Sequence, residues 1–216
     1  PRRVTSSDAR ATSPDDWRTG VAWVWRLLLA LAAGWATWLM LSGRSTALVL
    51  DQLRYFTIES TIAVLVVNAG AVVRPLLVRS GPYRFEGRRS WFRGLATSMT
   101  VFTGIIFATL LGHSYPDTAG RIAHAALPAA MLLDWLLVGR SHRRLAWWVP
   151  LTWAAVLVPY LFLYAWDART FGAPMYPFLD PARADWWGVV AAVAVAFLAL
   201  TYLLRWLARA TGRRRG

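Results

Sequence analysis

Six long apolar stretches constrain the fold of this chain more than any other feature of its sequence. Each contains about 17 to 21 residues, and a helix rising ~1.5 Å per residue over that length crosses a hydrocarbon core of about 30 Å. Because lipid offers no partners to backbone amides, each stretch must be helical. The sequence therefore predicts an all-α polytopic membrane protein with six transmembrane helices, at 21–41, 55–73, 95–111, 122–138, 145–165 and 186–204.

Composition excludes several other classes of protein. Of the 216 residues, 57% are hydrophobic and 16% are charged, whereas a soluble domain carries roughly a quarter charged residues. The chain has no Cys, so it can form neither a disulfide scaffold nor a thiolate metal site. The remaining His and carboxylate residues fall on different faces and sides of the predicted bundle, and neither a metal site nor a cofactor is expected.

The basic residues predict the orientation of the bundle. All 24 are Arg, and they give a formal net charge of +13. Nineteen fall at the N-terminus, in the second and fourth loops and at the C-terminal end, whereas the opposite side holds Arg44, Arg54, Arg121, Arg169 and Arg183. An excess of Arg on one side is typical of the cytoplasmic face, so both termini are predicted to be cytoplasmic in the cell membrane. Arginines spread over loops favour anionic lipid headgroups over nucleic acid as the partner.

The chain divides into three parts by composition. Residues 1–16 are polar and are predicted to be disordered. Residues 17–208 form the six-helix transmembrane domain, and residues 209–216 form a basic C-terminal tail. Within the domain, Asp134 lies near the inner end of the fourth span, within reach of Arg140 or water, and is interpreted as a member of an interfacial salt bridge.

The second span carries a polar face. Thr57, Ser60, Thr61, Val64 and Asn68 are spaced by three and four residues, so they lie on one side of a helix. Polar side chains are expensive in hydrocarbon, so this face is predicted to look into the bundle. A polar group inside a span is also a candidate for function.

Thr57 and His124 form the candidate catalytic pair. Each lies about one turn below the outer end of its span, and the two spans run in the same direction in the predicted topology. A hydroxyl and an imidazole at equal depth are the minimum for an activated nucleophile, because the ring can accept the hydroxyl proton as the oxygen attacks. The loop at 176–180 is predicted to cover this site, and the candidate substrate-binding residues are Ser60, Thr61, Asn68, Tyr176 and Asp180.

Two alternatives stay open from the residues alone. A Thr in a membrane helix commonly bonds the carbonyl one turn back, and a buried His is commonly structural, so the pair need not be catalytic. The second alternative is a membrane protein that binds or transports a lipid or another amphiphile without chemistry. In either case membrane lipids and an amphiphilic small molecule are the predicted partners.

Four short motifs carry a resemblance to a known family. They are Tyr-Phe-Thr-Ile at 55–58, His124 followed by Asp134-Trp135, the pair Pro159-Tyr160, and Tyr-Pro-Phe-Leu-Asp at 176–180. In this order they resemble a bacterial family of six-span membrane proteins that is grouped with the animal androgen-induced and androgen-dependent membrane proteins. The resemblance extends from the second to the sixth span.

The resemblance implies an activity and two catalytic residues. The animal proteins are intramembrane threonine hydrolases that cleave fatty acid esters of hydroxy fatty acids with a Thr and a His, which by motif correspond to Thr57 and His124. This chain departs from the pattern in three places. Arg121 stands where the animal proteins carry a second His, and Glu59 and Thr61 stand where the bacterial relatives more often have Gln and Asn.

Overall fold

The computed structural model describes residues 16–78, 90–112, 114–115, 117–138 and 145–213. None of these residues lies in a β-strand, and they form six helical segments that are long and apolar enough to cross a membrane. In order, the six spans are Asp16–Leu41, Phe56–Leu77, Trp91–Leu110, Thr118–Val138, Val149–Phe171 and Trp186–Arg213. The predicted all-α class and the six transmembrane helices are confirmed.

The ends of the spans differ from the predicted ones by several residues. The sixth helix continues to Arg213, which takes it into the segment predicted as a basic tail. A short helix at Thr46–Gln52, capped by the Ser45 hydroxyl, follows the first span and was not predicted. Residues 1–15 and 214–216, together with the loop arginines from 79 to 89 and from 140 to 144, lie outside the described residues.

The packing of the spans is reinforced by three tryptophan hydrogen bonds, each of which joins a different pair of spans. The first span packs on the second, the second on the third, and the third on the fourth and sixth. The indole N–H of Trp23 donates to the Val72 carbonyl (3.0 Å), that of Trp91 to the Thr152 hydroxyl (2.7 Å) and that of Trp135 to the Leu204 carbonyl (2.9 Å).

The predicted polar face of the second span looks into the bundle. Ser60, Thr61, Val64 and Asn68 are at most 2% exposed, and Thr57 at the start of the helix is half-buried. This prediction from spacing is therefore confirmed.

Two prolines interrupt the helices of the fourth and fifth spans. Before Pro128 the fourth span has a π-helical turn at Ile122–Ala126, in which the Leu127 N–H donates to the Ile122 carbonyl. In the fifth span the helix breaks between Val149–Ala154 and Leu157–Phe171. Pro159 has no N–H to offer the Ala155 carbonyl, which accepts from the Val158 N–H at 3.1 Å instead.

A buried ion pair joins the third and fourth spans. Asp134 is fully buried and pairs with Arg93, whose Nε donates to the carboxylate (2.6 Å) and whose Nη2 donates to the Asp134 carbonyl (2.7 Å). The predicted salt bridge of Asp134 is therefore present, but its predicted position at the interface is wrong. Asp134 points into the bundle because Arg93, at the start of the third span, extends its guanidinium inward, and Arg140 lies outside the described residues.

The Arg93–Asp134 pair gives the first testable prediction. Arg93→Met leaves a carboxylate buried without its countercharge, and we expect a loss of about 3–5 kcal/mol in the free energy of unfolding in detergent micelles. The double variant R93M/D134L removes both charges and should recover most of that loss. Arg183→Gln removes an exposed arginine paired with Asp185 and should change the stability little. An R93M protein as stable as wild type would contradict the prediction.

Candidate active site

A cavity of about 200 Å³ lies at the end of the bundle where the second, fourth and sixth spans begin. The second to sixth spans all contribute to its walls, together with the connection between the fifth and sixth spans. Most of the wall is aliphatic or aromatic, and the polar wall residues are Thr57, Thr103, His124, Tyr160, Tyr164 and Tyr176. A cavity of this kind accepts an apolar ligand and contacts it at a few polar points.

Thr57 lies in the first turn of the second span, two residues after the N-cap residue Tyr55. Its carbonyl oxygen accepts two hydrogen bonds, from the hydroxyls of Ser60 (2.9 Å) and Thr61 (2.8 Å). Within the described part of the chain its own hydroxyl makes no hydrogen bond. The Thr57 hydroxyl is therefore free to interact with a molecule in the cavity.

His124 lies in the π-helical turn of the fourth span. Its ring stacks on Phe107 of the third span, with ring centroids 3.9 Å apart and planes inclined by 15°. Its Nδ1 atom is buried and has no hydrogen-bond partner among the described residues. The ring is thus held by an aromatic neighbour while one of its nitrogens stays without a partner.

Gly104 allows the third span to approach the turn that carries His124. A Cβ atom at this position would lie 2.9 Å from the Pro128 side chain and 3.1 Å from the His124 carbonyl oxygen. Both contacts are closer than ordinary van der Waals distances, so a larger residue would push the two helices apart. The position of the His124 ring therefore depends on a glycine in a neighbouring helix.

Tyr176 ties the connection between the last two spans to the start of the second span. Its hydroxyl oxygen accepts from the Phe56 N–H (3.0 Å), and its carbonyl accepts from the Tyr164 hydroxyl (3.1 Å). The Tyr164 and Tyr176 rings stack 5.9 Å apart. Burial raises the pKa of the Tyr176 hydroxyl, so this group keeps its proton at physiological pH and remains a donor.

An ion pair closes the same end of the bundle. Arg54, just before the second span, pairs with Asp51 and with the buried Asp167 of the fifth span. Its guanidinium also lies over the Phe171 ring, 4.5 Å from the centroid. The Tyr160 hydroxyl, on the cavity wall, donates to the Arg54 carbonyl (3.2 Å). The second and fifth spans are thereby joined beside the cavity.

Three of the seven residues predicted for the site line the cavity, namely Thr57, His124 and Tyr176. The other four lie outside its wall. Ser60 and Thr61 bond the Thr57 carbonyl, and Ser60 also accepts from the Thr103 hydroxyl at 3.2 Å. Asn68 donates to the Val64 carbonyl (2.8 Å) and contacts the Met131 sulfur (3.5 Å). Asp180 accepts from the Ala182 N–H (2.8 Å) in a turn.

The sequence reasoning missed three polar wall residues, Thr103, Tyr160 and Tyr164, and Tyr164 is the most firmly packed of them in aromatic contacts. It is fully buried and stacks between Tyr176 and Trp186 of the sixth span. Its position four residues after Tyr160 puts both phenols on one helical face, and this spacing was the available signal.

No protein-family model, no curated protein and no solved structure matches this chain.

Gly104→Ala tests the close packing around His124. We expect the added methyl group to cost about 1–3 kcal/mol of unfolding free energy and to speed hydrogen exchange around the His124 turn. Gly70→Ala is the matched control, because nothing lies within 4 Å of a Cβ atom there. Equal stability and equal exchange in the two variants would show that the packing is not tight.

Tyr176→Phe tests the anchor of the 176–180 segment. The ring stays, but the Phe56 N–H loses its acceptor, so we expect a loss of about 1 kcal/mol and faster exchange of the Phe56 amide. Tyr202→Phe serves as the control, since within the described residues the Tyr202 hydroxyl makes no hydrogen bond. Unchanged exchange at Phe56 would rule out the anchoring bond.

Proposed function

We propose that this chain is an intramembrane hydrolase of lipid esters, with Thr57 as the nucleophile and His124 as the general base. One observation carries the proposal. The Thr57 hydroxyl, which makes no hydrogen bond among the described residues, and the His124 ring, whose Nδ1 has no partner there, line the same cavity. A nucleophile and a base facing one space are the parts that acyl transfer through a hydroxyl requires.

The reaction proceeds in two acyl transfers. His124 takes the proton of the Thr57 hydroxyl as the oxygen bonds to the ester carbonyl carbon. The bond from that carbon to the alkoxy oxygen then breaks, and the leaving alcohol receives the proton from the imidazolium. In the second transfer a water molecule gives its proton to His124 and attacks the acyl-threonine. The carboxylic acid leaves, and the Thr57 oxygen recovers its proton.

The walls of the cavity favour an ester with long apolar parts. The resemblance to the threonine hydrolases points in the same direction, because their substrates are fatty acid esters of hydroxy fatty acids. Tyr176 keeps its proton and lies at the cavity wall, so its O–H is a donor for a polar group of such a substrate. Ser60 and Thr61 support the site indirectly by bonding the Thr57 carbonyl.

The distribution of arginines supports a location of the protein in the cell membrane and an orientation of the bundle in it. With both termini in the cytoplasm, the cavity lies in the outer leaflet of the cell membrane. The 176–180 segment then borders the extracytoplasmic surface, from which water for the second acyl transfer reaches Thr57.

The test is covalent labelling by a fluorophosphonate probe of the kind that modifies activated hydroxyls, in membranes that contain the protein. We expect labelling at Thr57, loss of labelling in Thr57→Ala, and a fall of about 10²–10⁴-fold in labelling rate in His124→Gln, because the general base is removed. Thr109→Ala is the matched control. Its hydroxyl is exposed and bonds the carbonyl one turn back (2.8 Å).

Two outcomes separate the proposal from the alternative of a binding protein. Labelling that survives in both Thr57→Ala and His124→Gln would rule out the hydrolase. Absence of labelling, combined with retention of a fluorescent fatty acid by the Thr57→Ala variant, would instead favour an amphiphile-binding protein, which the apolar walls of the cavity also suit.

A further inference from the structure

The two halves of the fifth span lie differently against the sixth span. The first half packs along it, and Val149 and Trp153 share a buried cluster with Leu204 and Ala208. The second half meets the sixth span near that span's beginning, where the Tyr164 and Trp186 rings stack 6.0 Å apart. Between these two points of contact the second half approaches the sixth span less closely than the first half does, which leaves a gap.

The cavity reaches the outer surface of the bundle in this gap. Its wall there consists of Leu157, Val158 and Leu161 on the fifth span and of Val190, Val193 and Ala194 on the sixth. Val158 is 56% exposed and Ala194 is also exposed, although both line the cavity. A residue that is at once wall and surface marks an opening, and this opening faces sideways from two membrane-spanning helices.

The helix break at Ala155–Val156 explains the gap. Because the proline at position 159 has no N–H to donate, the regular helix is interrupted at Ala155 and Val156. The half before the break packs on the sixth span, whereas the half after it contacts that span through Tyr164 and Trp186. The cavity wall begins on either side of the break, at Ala154 and Leu157.

From this geometry we infer that the gap between the fifth and sixth spans is a lateral window through which an acyl chain of a membrane amphiphile enters the cavity. The inference deepens the proposed function and rests on it for the fate of the bound molecule. The occupant is an acyl chain because the surface at this depth contacts hydrocarbon and the six window residues are all aliphatic. Moving a chain from lipid to such a wall gains little hydrophobic energy, so the polar end of the molecule, near Thr57, decides which amphiphile stays.

A second groove on the other side of the sixth span supplies a matched control. Ala192 and Ala196 line this groove, which faces the third span, whereas Ala194 lines the window. Ala192 and Ala194 are both exposed alanines of the same helix. Because the chain contains no Cys, a single introduced thiol can be modified without background.

The experiment uses full-length Ala194→Cys and Ala192→Cys proteins in phosphatidylcholine vesicles. Each thiol is capped with a bulky aromatic group through a disulfide, and a fatty acid with a diazirine near the end of its chain is then photoactivated. Mass spectrometry maps the labelled peptides. We expect the cap at position 194 to abolish labelling of cavity residues such as Phe102, and reduction of the disulfide to restore it. The cap at position 192 should leave cavity labelling in place.

Cavity labelling that persists with the cap at position 194, or that is lost with the cap at position 192, would overturn the window. Absence of cavity labelling in the uncapped wild-type protein would overturn it as well. Photolabelling does not require the Thr57 hydroxyl, so a Thr57→Ala protein should still be labelled through the window. Failure of the hydrolase proposal is thereby distinguishable from failure of this inference.

Discussion

Hydrocarbon offers no hydrogen-bond partner to a polar side chain, and this constraint determines where every polar group of the bundle lies. Most hydroxyls satisfy it locally. Thr61 bonds the carbonyl four residues back, as does Thr103, and such bonds make them tolerable inside a membrane helix. Among the described residues the Thr57 hydroxyl and the buried Nδ1 of His124 have no such bond, and the same holds for the Thr100 hydroxyl and the indole N–H groups of Trp25 and Trp153. A buried polar group without a partner costs about 1–3 kcal/mol. What sets Thr57 and His124 apart is that both residues line one cavity.

The sequence predicts the features that depend on a single helix. Length and hydropathy identify the six spans, and the three- and four-residue spacing identifies the buried face of the second one. The same spacing did not identify depth. Asn68 shares its face with Thr57 but lies eleven residues further on, which is about 16 Å along the helix, so it packs against Met131 and not in the cavity. A helical wheel shows on which side of the helix a residue lies, but only its distance from the end of the span shows how deep in the membrane it lies.

Features that depend on the packing of two helices could not be predicted from the sequence. Asp134 was assigned to a neighbour in sequence, but its partner Arg93 lies on the preceding span, and the pairing follows from how the third span packs on the fourth. A shared site for Thr57 and His124 was predicted from equal depth, which places two residues at one level without making them neighbours; in the structure both residues line one cavity. Their common cavity depends on packing that single residues permit, above all Gly104, whose missing side chain lets the third span approach the His124 turn.

Irregular backbone inside a membrane is tolerated where it lines a cavity or finds another partner, and the three irregular segments in the described part of the spans are of these two kinds. The π-helical turn at Asp134–Val138 finds a partner, because the Arg93 guanidinium donates to the Asp134 carbonyl. The other two border the cavity, since the turn at Ile122–Ala126 carries His124 and the break at Ala155–Val156 lies between two wall residues. Each of these two segments is explained by a proline. Pro128 and Pro159 have no N–H to donate to the carbonyl four residues earlier in the helix. Two helices lose regular backbone hydrogen bonds beside the same cavity. This is a reason to locate the function there that does not depend on the Thr57 and His124 side chains.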